Sequence, residues 1–214
     1  MQRICSHIPS PRPCSPGLGR RRQQGFSLIE VSIVTAIVLL IAIMGIPAIG
    51  SYVVENKVPK VGEEMQRFVA RVKANAQGAG PTPYASIHTG TLANALRDSS
   101  IVASAGNGPA AVLAHGLGGN GTPGNGTIMV GPASVAAGGI GSGFSMTFTN
   151  VNSAACPSLA TVMQRVSEVI TVQGQGGAVV VKDSTANPAM PYDALLAASQ
   201  CGAGDSNTFV FVSR

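Results

Sequence analysis

Charge is scarce in this chain, and one long segment has none. Charged residues make up 11% of the 214 residues, and none occurs between Val31 and Gly50. A helix of these twenty residues would span roughly 30 Å, the thickness of the hydrocarbon core of a bilayer. The segment therefore predicts a membrane-spanning helix, in which Ser32 and Thr35 are the only polar side chains.

Net positive charge is absent once the first 25 residues are set aside. The formal charge of the whole chain is +5, but residues 26–214 hold nine Lys or Arg and nine Asp or Glu. The basic pI therefore gives no support for nucleic-acid binding. Arg20, Arg21 and Arg22 lie just before the apolar segment, which predicts a cytoplasmic N-terminus and export of everything after Gly50.

The chain also lacks the side chains that a cofactor or metal site would need. Gly116–Gly121 matches G-x-G-x-x-G, but Pro- and Gly-rich residues follow it where a phosphate-binding helix would have to begin. No Asp or Glu occurs between Asp98 and Glu168 to bind a ribose. His88 and His115 have no Cys or His at ligand spacing. We therefore predict no cofactor, no metal and no catalytic activity.

Three residues around the start of the apolar segment are unusual. Gly25 and Phe26 precede it, and Glu30 is a lone carboxylate immediately before its first residue. A secretory signal peptide would have a shorter apolar run followed by a small-residue cleavage site, and neither is present. A plain single-span anchor would accommodate the arginines and the length, but it gives no role to Glu30. The plain anchor remains the alternative at this point.

Residues 25–30, with the sequence GFSLIE, resemble the class III signal of type IV prepilins. The resemblance implies that a prepilin peptidase removes residues 1–25 by cleaving between Gly25 and Phe26, and that the new amino group of Phe26 is methylated. It also implies a structural subunit that polymerises with copies of itself, with the help of inner-membrane assembly machinery. The subunit would cross the inner membrane once, with a periplasmic C-terminal domain, before it joins an extracellular pilus.

Two residues of the apolar segment suggest roles in assembly. Glu30 lies four residues from the predicted cut, so we hypothesise that it pairs with the Phe26 amine of a neighbouring subunit in the filament core. An unpaired charge would be costly there. Pro47 removes one helical hydrogen bond, so we also hypothesise that residues 43–50 unwind locally on assembly.

The sequence predicts an α+β fold in which a long N-terminal helix packs against an antiparallel sheet. Residues 26–50 form the membrane or filament-core helix, and residues 51–77 continue it as an amphipathic helix with an apolar stripe. Pro47 and Pro59 should bend or loosen it. Residues 78–214 form the globular domain, in which residues 103–143 are rich in Gly and loops.

Alternation and turn signals place the elements of that domain. We expect one or two helical turns at residues 91–96 and a helix from Pro157 to about Glu168. A second short helix is expected at residues 193–199. The strands are expected at residues 127–130, 144–149, 169–172, 178–182 and 208–213, with a hairpin between the third and the fourth.

Four cysteines divide between the two parts of the chain. Cys5 and Cys14 lie in the predicted leader, which leaves Cys156 and Cys201 as the only possible exported pair. We expect a disulfide that bounds residues 156–201, and two buried free thiols are the alternative. The long leader and the C-terminal two-cysteine region resemble the type IVb subgroup, whereas Phe26 as the first mature residue is a type IVa habit.

Other functions remain open on the sequence alone. A minor pilin or a pseudopilin of a type II secretion machine would share the same N-terminal features. A membrane-anchored periplasmic binding module or enzyme belongs to a different class, and an intact leader on the mature chain would favour it. The compact domain without an added module favours the major subunit. Nothing in the sequence indicates what a filament would contact.

Overall fold

The computed structural model describes residues 27–214, except for the side chains of residues 46–48. Its first element is a continuous helix, α1, from Leu28 to Asn75. These bounds confirm the predicted long helix to within two residues at its C-terminal end, and Phe26 lies outside the described residues. The helix assignment is unbroken at both prolines, Pro47 and Pro59. The described chain divides into two units, one ending at Ile43 and one covering Met44–Arg214.

In the first unit, α1 is apolar around its whole circumference. Nearly all side chains from Leu28 to Ile43 are exposed, which is the reverse of what a water-soluble helix does with leucine and isoleucine. Among the described residues, α1 is the one helix long and apolar enough to cross a membrane.

In the second unit, α1 becomes amphipathic, as predicted. Its buried side chains recur every three or four residues and form one stripe: Val58, Val61, Met65, Phe68 and Val69. The opposite face is charged, and Arg67 binds Glu63 at 2.6 Å with the favourable four-residue spacing. Both partners are well exposed, so this ion pair adds little stability. The stripe gives the sheet a surface to cover.

A seven-stranded antiparallel sheet forms the body of the second unit. Its strands in chain order are β1 Ala103–Ala105, β2 Val112–Ala114, β3 Thr127–Ala133, β4 Gly143–Asn152, β5 Val169–Gly174, β6 Gly177–Asp183 and β7 Asp205–Ser213. Their order across the sheet is β1-β2-β3-β4-β7-β5-β6. Three further helices accompany it: α2 Thr89–Ala95, α3 Cys156–Met163 and α4 Ala194–Gln200. The predicted α+β fold is confirmed.

The last strand, β7, occupies an interior position between β4 and β5. Its side chains alternate strictly, so Phe209, Phe211 and Ser213 are buried while the residues between them are half-exposed. Phe211 meets Phe148 of β4 edge to face, with ring centroids 5.6 Å apart. The C-terminal strand therefore joins the two halves of the sheet and supplies part of its core.

Residues 103–143 contain more regular structure than the sequence patterns predicted. In addition to the expected strand, this region contains β1, β2 and a 3-10 turn at Gly108–Ala110. Strands of three residues carry too few side chains for a visible alternation, and they form here only because they pair with each other. β3 also runs three residues further than expected. Beyond β2, the hydroxyl of Thr89 contacts both the N–H and the C=O of Val130, which a neighbouring strand would otherwise bind.

The helix after Cys156 is shorter than predicted. It ends at Met163 instead of near Glu168, while β5 begins at Val169, where the predicted strand begins. Two contacts explain the early end. Lys182 donates from Nζ to the carbonyls of Gln164 and Ser167, both at 2.6 Å, and Glu168 N–H joins the sheet at Val212. Val166 continues the apolar 3.6-residue spacing beyond Met163, so the pattern predicted a helix that was too long.

The remaining elements follow the prediction closely. β5 and β6 form a hairpin around Gln175 and Gly176. α4 is capped by Asp193, whose carboxylate accepts from two backbone N–H groups of the first turn. Cys156 and Cys201 form a disulfide, so the alternative of two free thiols is wrong. The bond joins the start of α3 to the residue after α4.

We expect the disulfide to contribute strongly to stability. Replacing both cysteines (Cys156→Ser with Cys201→Ser) reopens a loop closed over 45 residues, which should lower the free energy of unfolding by about 4 kcal/mol in the chain-entropy model. Chemical denaturation of the purified chain measures this difference. Replacing Cys5 and Cys14 by serine is the matched control and should leave the midpoint unchanged. Equal midpoints for both double variants would contradict the prediction.

Candidate assembly site and polar junctions

The candidate assembly site is the exposed apolar N-terminal part of α1 together with Glu30, the one carboxylate before Gly50. Glu30 is exposed and lies in the first turn of the helix, where a negative charge is favourable. Glu30 N–H and Val31 N–H both bond to the carbonyl of Ser27, so the turn begins at this serine. No ion pair of Glu30 occurs within residues 27–214. Its carboxylate is therefore available to a partner outside the described residues or on another chain.

The two hydroxyl groups of the apolar segment are satisfied locally. Ser32 donates to the carbonyl of Ile29 at 2.8 Å, and Thr35 donates to the carbonyl of Ser32 at 2.9 Å. These bonds remove the cost of a free hydroxyl in an apolar environment. Among the described residues, Glu30 is then the one polar side chain at this end of α1 without a hydrogen-bond or ion-pair partner.

Several residues predicted to act at this site lie outside the described part of the chain. These are the processing residues Gly25 and Phe26 and the topology residues Arg20, Arg21 and Arg22. For Pro47 the structure gives only its backbone place within α1. Their roles therefore stay predictions.

The glycine-rich match of the sequence, Gly116–Gly121, is part of a packed loop between β2 and β3. Gly118 has a φ of +145°, and a Cβ there would lie 2.5 Å from the carbonyl oxygen of Asn150. Gly119 N–H donates to the carboxylate of Asp205 at 2.9 Å. The glycines thus permit a close approach of loop and sheet. A strand, β3, follows the loop where a dinucleotide site would need a helix.

Asp205 and Asn207, at the start of β7, hold this loop and the end of β4 together. Asp205 accepts from Asn152 at 2.6 Å with the carboxylate oxygen that does not bind the glycine. Asn207 is fully buried, and its amide group bonds to the carbonyls of Val151 and Gly202 and to the N–H of Gly202. Three polar contacts satisfy this buried amide, as stability requires. No local pattern predicted the contacts with Gly119, Asn152 and Val151, because these residues lie 53 or more positions away along the chain.

His115 is a buried structural histidine. Leu117 N–H donates to its Nδ1 at 3.0 Å, so the ring proton resides on Nε2 and binds the carbonyl of Thr149 at 2.9 Å. Burial lowers the pKa of His115 below its usual 6.5, although the bond to Thr149 and the charge of Asp205 oppose this. The neutral ring stacks obliquely on Phe148. Across residues 27–214, no three His, Cys, Asp or Glu side chains group as a metal site would require.

Two family models match opposite ends of the chain. Residues 20–46 match the prokaryotic N-terminal methylation motif, and residues 123–214 match a model described as PilS N terminal. No protein of curated function matches the chain.

Solved pilin structures are similar to the chain at low identity. The crystal structure of a type IV b pilin from Salmonella typhi is 21% identical, covering 73% of this chain and 97% of that one, with a TM-score of 0.49. The structure of TcpA, a type IV pilin from the Vibrio cholerae El Tor biotype, is 12% identical, covering 75% and 99%, with a TM-score of 0.46.

The methylation motif, the long apolar helix and the C-terminal antiparallel sheet together support a type IV pilin. The second family model, over residues 123–214, adds support for this assignment from the other end of the chain. The resemblance noted in residues 25–30 is thereby confirmed.

The buried His115 should make stability depend on pH. Its pKa is lower in the folded chain than the usual 6.5, so below about pH 6.5 the unfolded chain binds a proton that the folded chain does not. Stability present at pH 7 and above should therefore fall as the pH drops toward 5, by at most about 1.4 kcal/mol per pH unit. Urea denaturation at several pH values measures the slope.

The His115→Gln variant is the comparison for this experiment. It is less stable overall because the glutamine cannot reproduce the ring's stacking, but its free energy of unfolding should be flatter between pH 7 and 5. Identical slopes for wild type and His115→Gln would refute the assignment.

Proposed function

We propose that this chain is the major subunit of a type IV pilus of the type IVb kind. The observation that carries the proposal is a lone carboxylate, Glu30, in the first turn of an exposed apolar helix within a methylation motif. The C-terminal disulfide region and the long leader support the type IVb subgroup. The compact second unit, without an added module, supports the major role.

The proposed sequence of events begins at the inner membrane. A prepilin peptidase cleaves between Gly25 and Phe26, and the new amine of Phe26 is methylated, which leaves it cationic. Arg20, Arg21 and Arg22 hold the leader in the cytoplasm, and the domain after Gly50 lies in the periplasm. Assembly machinery of the inner membrane then extracts the apolar helix into an extracellular filament made of copies of this chain.

In the filament, Glu30 of one subunit pairs with the Phe26 amine of its neighbour. Both charges enter an apolar helical bundle, where each alone would be strongly destabilising. Pairing neutralises them and fixes the axial step between subunits. The absence of an ion pair of Glu30 within residues 27–214 supports this role, because the carboxylate needs a partner from elsewhere.

A minor pilin is the second candidate, since it would share every feature of α1. Abundance in filaments sheared from the cell surface separates the two, because a major subunit dominates such material. A pseudopilin of a type II secretion machine would give no long surface filaments. A membrane-anchored enzyme would retain its leader.

The Glu30→Gln variant tests the proposed function directly. It should be cleaved and methylated like the wild type, so mass spectrometry should find a methylated Phe26 at the mature N-terminus of both. Filament yield should fall at least about tenfold, since an unpaired buried amine costs well over the 1.4 kcal/mol that a factor of ten represents.

Glu55→Gln provides the control for this measurement. Glu55 is also an exposed carboxylate of α1, but it lies beyond the apolar segment. Its replacement should leave the filament yield unchanged. Normal piliation of Glu30→Gln would disprove the pairing, and an intact leader on the wild-type chain would disprove the pilin function as a whole.

A second role in assembly is proposed for Pro47. This residue cannot donate a hydrogen bond to the carbonyl of Ile43, so the helix is weakest around residues 43–50. We expect these residues to be helical in membrane-held subunits and partly extended in filaments. Solid-state NMR chemical shifts in vesicles and in filaments measure the difference, and Pro47→Ala should reduce it. Equal helicity in the two states would contradict this role.

A further inference from the structure

One face of α1 changes from apolar to basic just beyond the apolar segment. Ile49, Val53, Lys57 and Lys60 recur at intervals of four, four and three residues, which places them on a single face of the helix. All four side chains are exposed. We name these four residues the juxtamembrane stripe. It lies entirely within the second unit of the chain.

The juxtamembrane stripe is separate from the surface that packs against the sheet. The neighbouring residues Val58 and Val61 are fully buried and point to the domain core, whereas the stripe residues remain exposed. The ion pairs of residues 27–214 join Arg67 to Glu63 and Glu64, so neither lysine of the stripe takes part in one. The two ammonium groups are therefore available to an external anion.

The carboxylates near the stripe do not neutralise it. Glu64 lies on the same face, four residues beyond Lys60, but its ion-pair partner is Arg67, at 4.0 Å, and Glu63 also binds Arg67, at 2.6 Å. Glu55 is two residues from Val53 and hence about 200° around the helix. It lies on the opposite side. Lys57 runs beside the loop at Gly116, where its Nζ would be 3.7 Å from an added Cβ. That loop residue brings no carboxylate, so the stripe remains basic.

The distance of the stripe from the apolar segment matches the headgroup layer of a bilayer. Tyr52, which is 66% exposed, lies about 3 Å along the axis beyond Gly50, and Lys57 and Lys60 lie about 10 and 15 Å beyond it. Helical side chains lean toward the N-terminus, and a lysine reaches back about 6 Å. With that reach the ammonium groups can lie about 4 and 9 Å past the apolar segment, the first within a headgroup layer about 5–7 Å thick and the second about 2 Å beyond it.

We propose that Lys57 and Lys60 bind the phosphate groups of anionic phospholipids in the periplasmic leaflet, while Tyr52 lies at the same depth and anchors the helix at the interface. Tyrosine favours the interface between lipid and water, and lysine attracts anionic headgroups. The exposed apolar Ile49 and Val53 continue the same face into the acyl region. The inference rests on the membrane-held state of the proposed function, and it adds a lipid preference that the pilin fold by itself does not require.

Lipid binding at this surface has a consequence for assembly. The lysines must leave the headgroups when the subunit is extracted, so anionic lipid stabilises the membrane-held state relative to the filament. Each lysine near an anionic surface should favour anionic over zwitterionic lipid about fivefold. The effect is electrostatic, and salt should weaken it.

The absence of tryptophan from the chain makes a direct test possible. The full-length Tyr52→Trp variant carries a single tryptophan at the proposed interface, and this residue type shares tyrosine's preference for that depth. It is reconstituted in phosphatidylcholine vesicles with 20% phosphatidylglycerol, with bromine on the chains of one lipid at a time. Fluorescence quenching per brominated lipid then reports the composition next to position 52.

We expect quenching by brominated phosphatidylglycerol to exceed its share of the mixture severalfold. Adding Lys57→Gln and Lys60→Gln should reduce the quenching ratio to the bulk value, as should 1 M salt. The matched control adds Arg71→Gln and Arg97→Gln, which remove the same charge from exposed positions outside the stripe. This control should retain the enrichment.

Two results would overturn the proposal. The first is equal quenching by both lipids in the Tyr52→Trp chain, and the second is the same loss of enrichment in the lysine and arginine variants. Flotation of the vesicles measures whether the chain is bound to the membrane at all. It therefore distinguishes a failure of the lipid-binding proposal from a failure of the proposed function. A chain that floats without lipid enrichment refutes only the headgroup site, whereas a chain that does not float refutes the membrane-held subunit itself.

Discussion

The structure depends on one helix that meets two different environments. Up to Gly50, α1 is apolar on all sides and needs lipid or other helices around it. From Val58 onward its apolar side chains narrow to a stripe, and the sheet buries that stripe. The rest of the domain follows from covering it, since an antiparallel sheet supplies one buried face to the helix and one half-exposed face to solvent.

The C-terminal strand completes that cover. β7 lies between β4 and β5, so the sheet stays in two parts until the nine residues of β7 pair with both neighbouring strands. Long-range closure of this kind is entropically costly and needs supports. The Cys156–Cys201 disulfide restrains the chain before β7, and the buried amide of Asn207 joins the strand to the end of β4. The sheet that covers the apolar stripe of α1 therefore depends on β7 and on these two supports.

Much of this architecture could be read from local patterns, and the failures have physical causes. The alternation at Phe144–Phe148 and at Phe209–Ser213 predicted β4 and β7, and the Gly174–Gly177 segment predicted a hairpin. The helix predicted for α3 was too long because apolar residues at helical spacing continue beyond Met163 toward β5. β1 and β2 were missed because three residues give no periodicity. The polar partners of His115 and Asp205 come from distant segments, so no local pattern revealed them.

The sequence by itself determined the membrane-length helix, the excess of positive charge in residues 1–25, the lone carboxylate before the apolar segment and Cys156 with Cys201 as the candidate disulfide pair. These features depend on residue type and on spacing within one segment, and both can be read directly from the sequence. Only the tertiary structure decided the strand order, the end of α3 at the Lys182 contacts and the exposure of Lys57 and Lys60 beside a buried stripe. These features depend on contacts between segments that are distant along the chain. The packing that stabilises such contacts involves several segments at once, so no single segment predicts it.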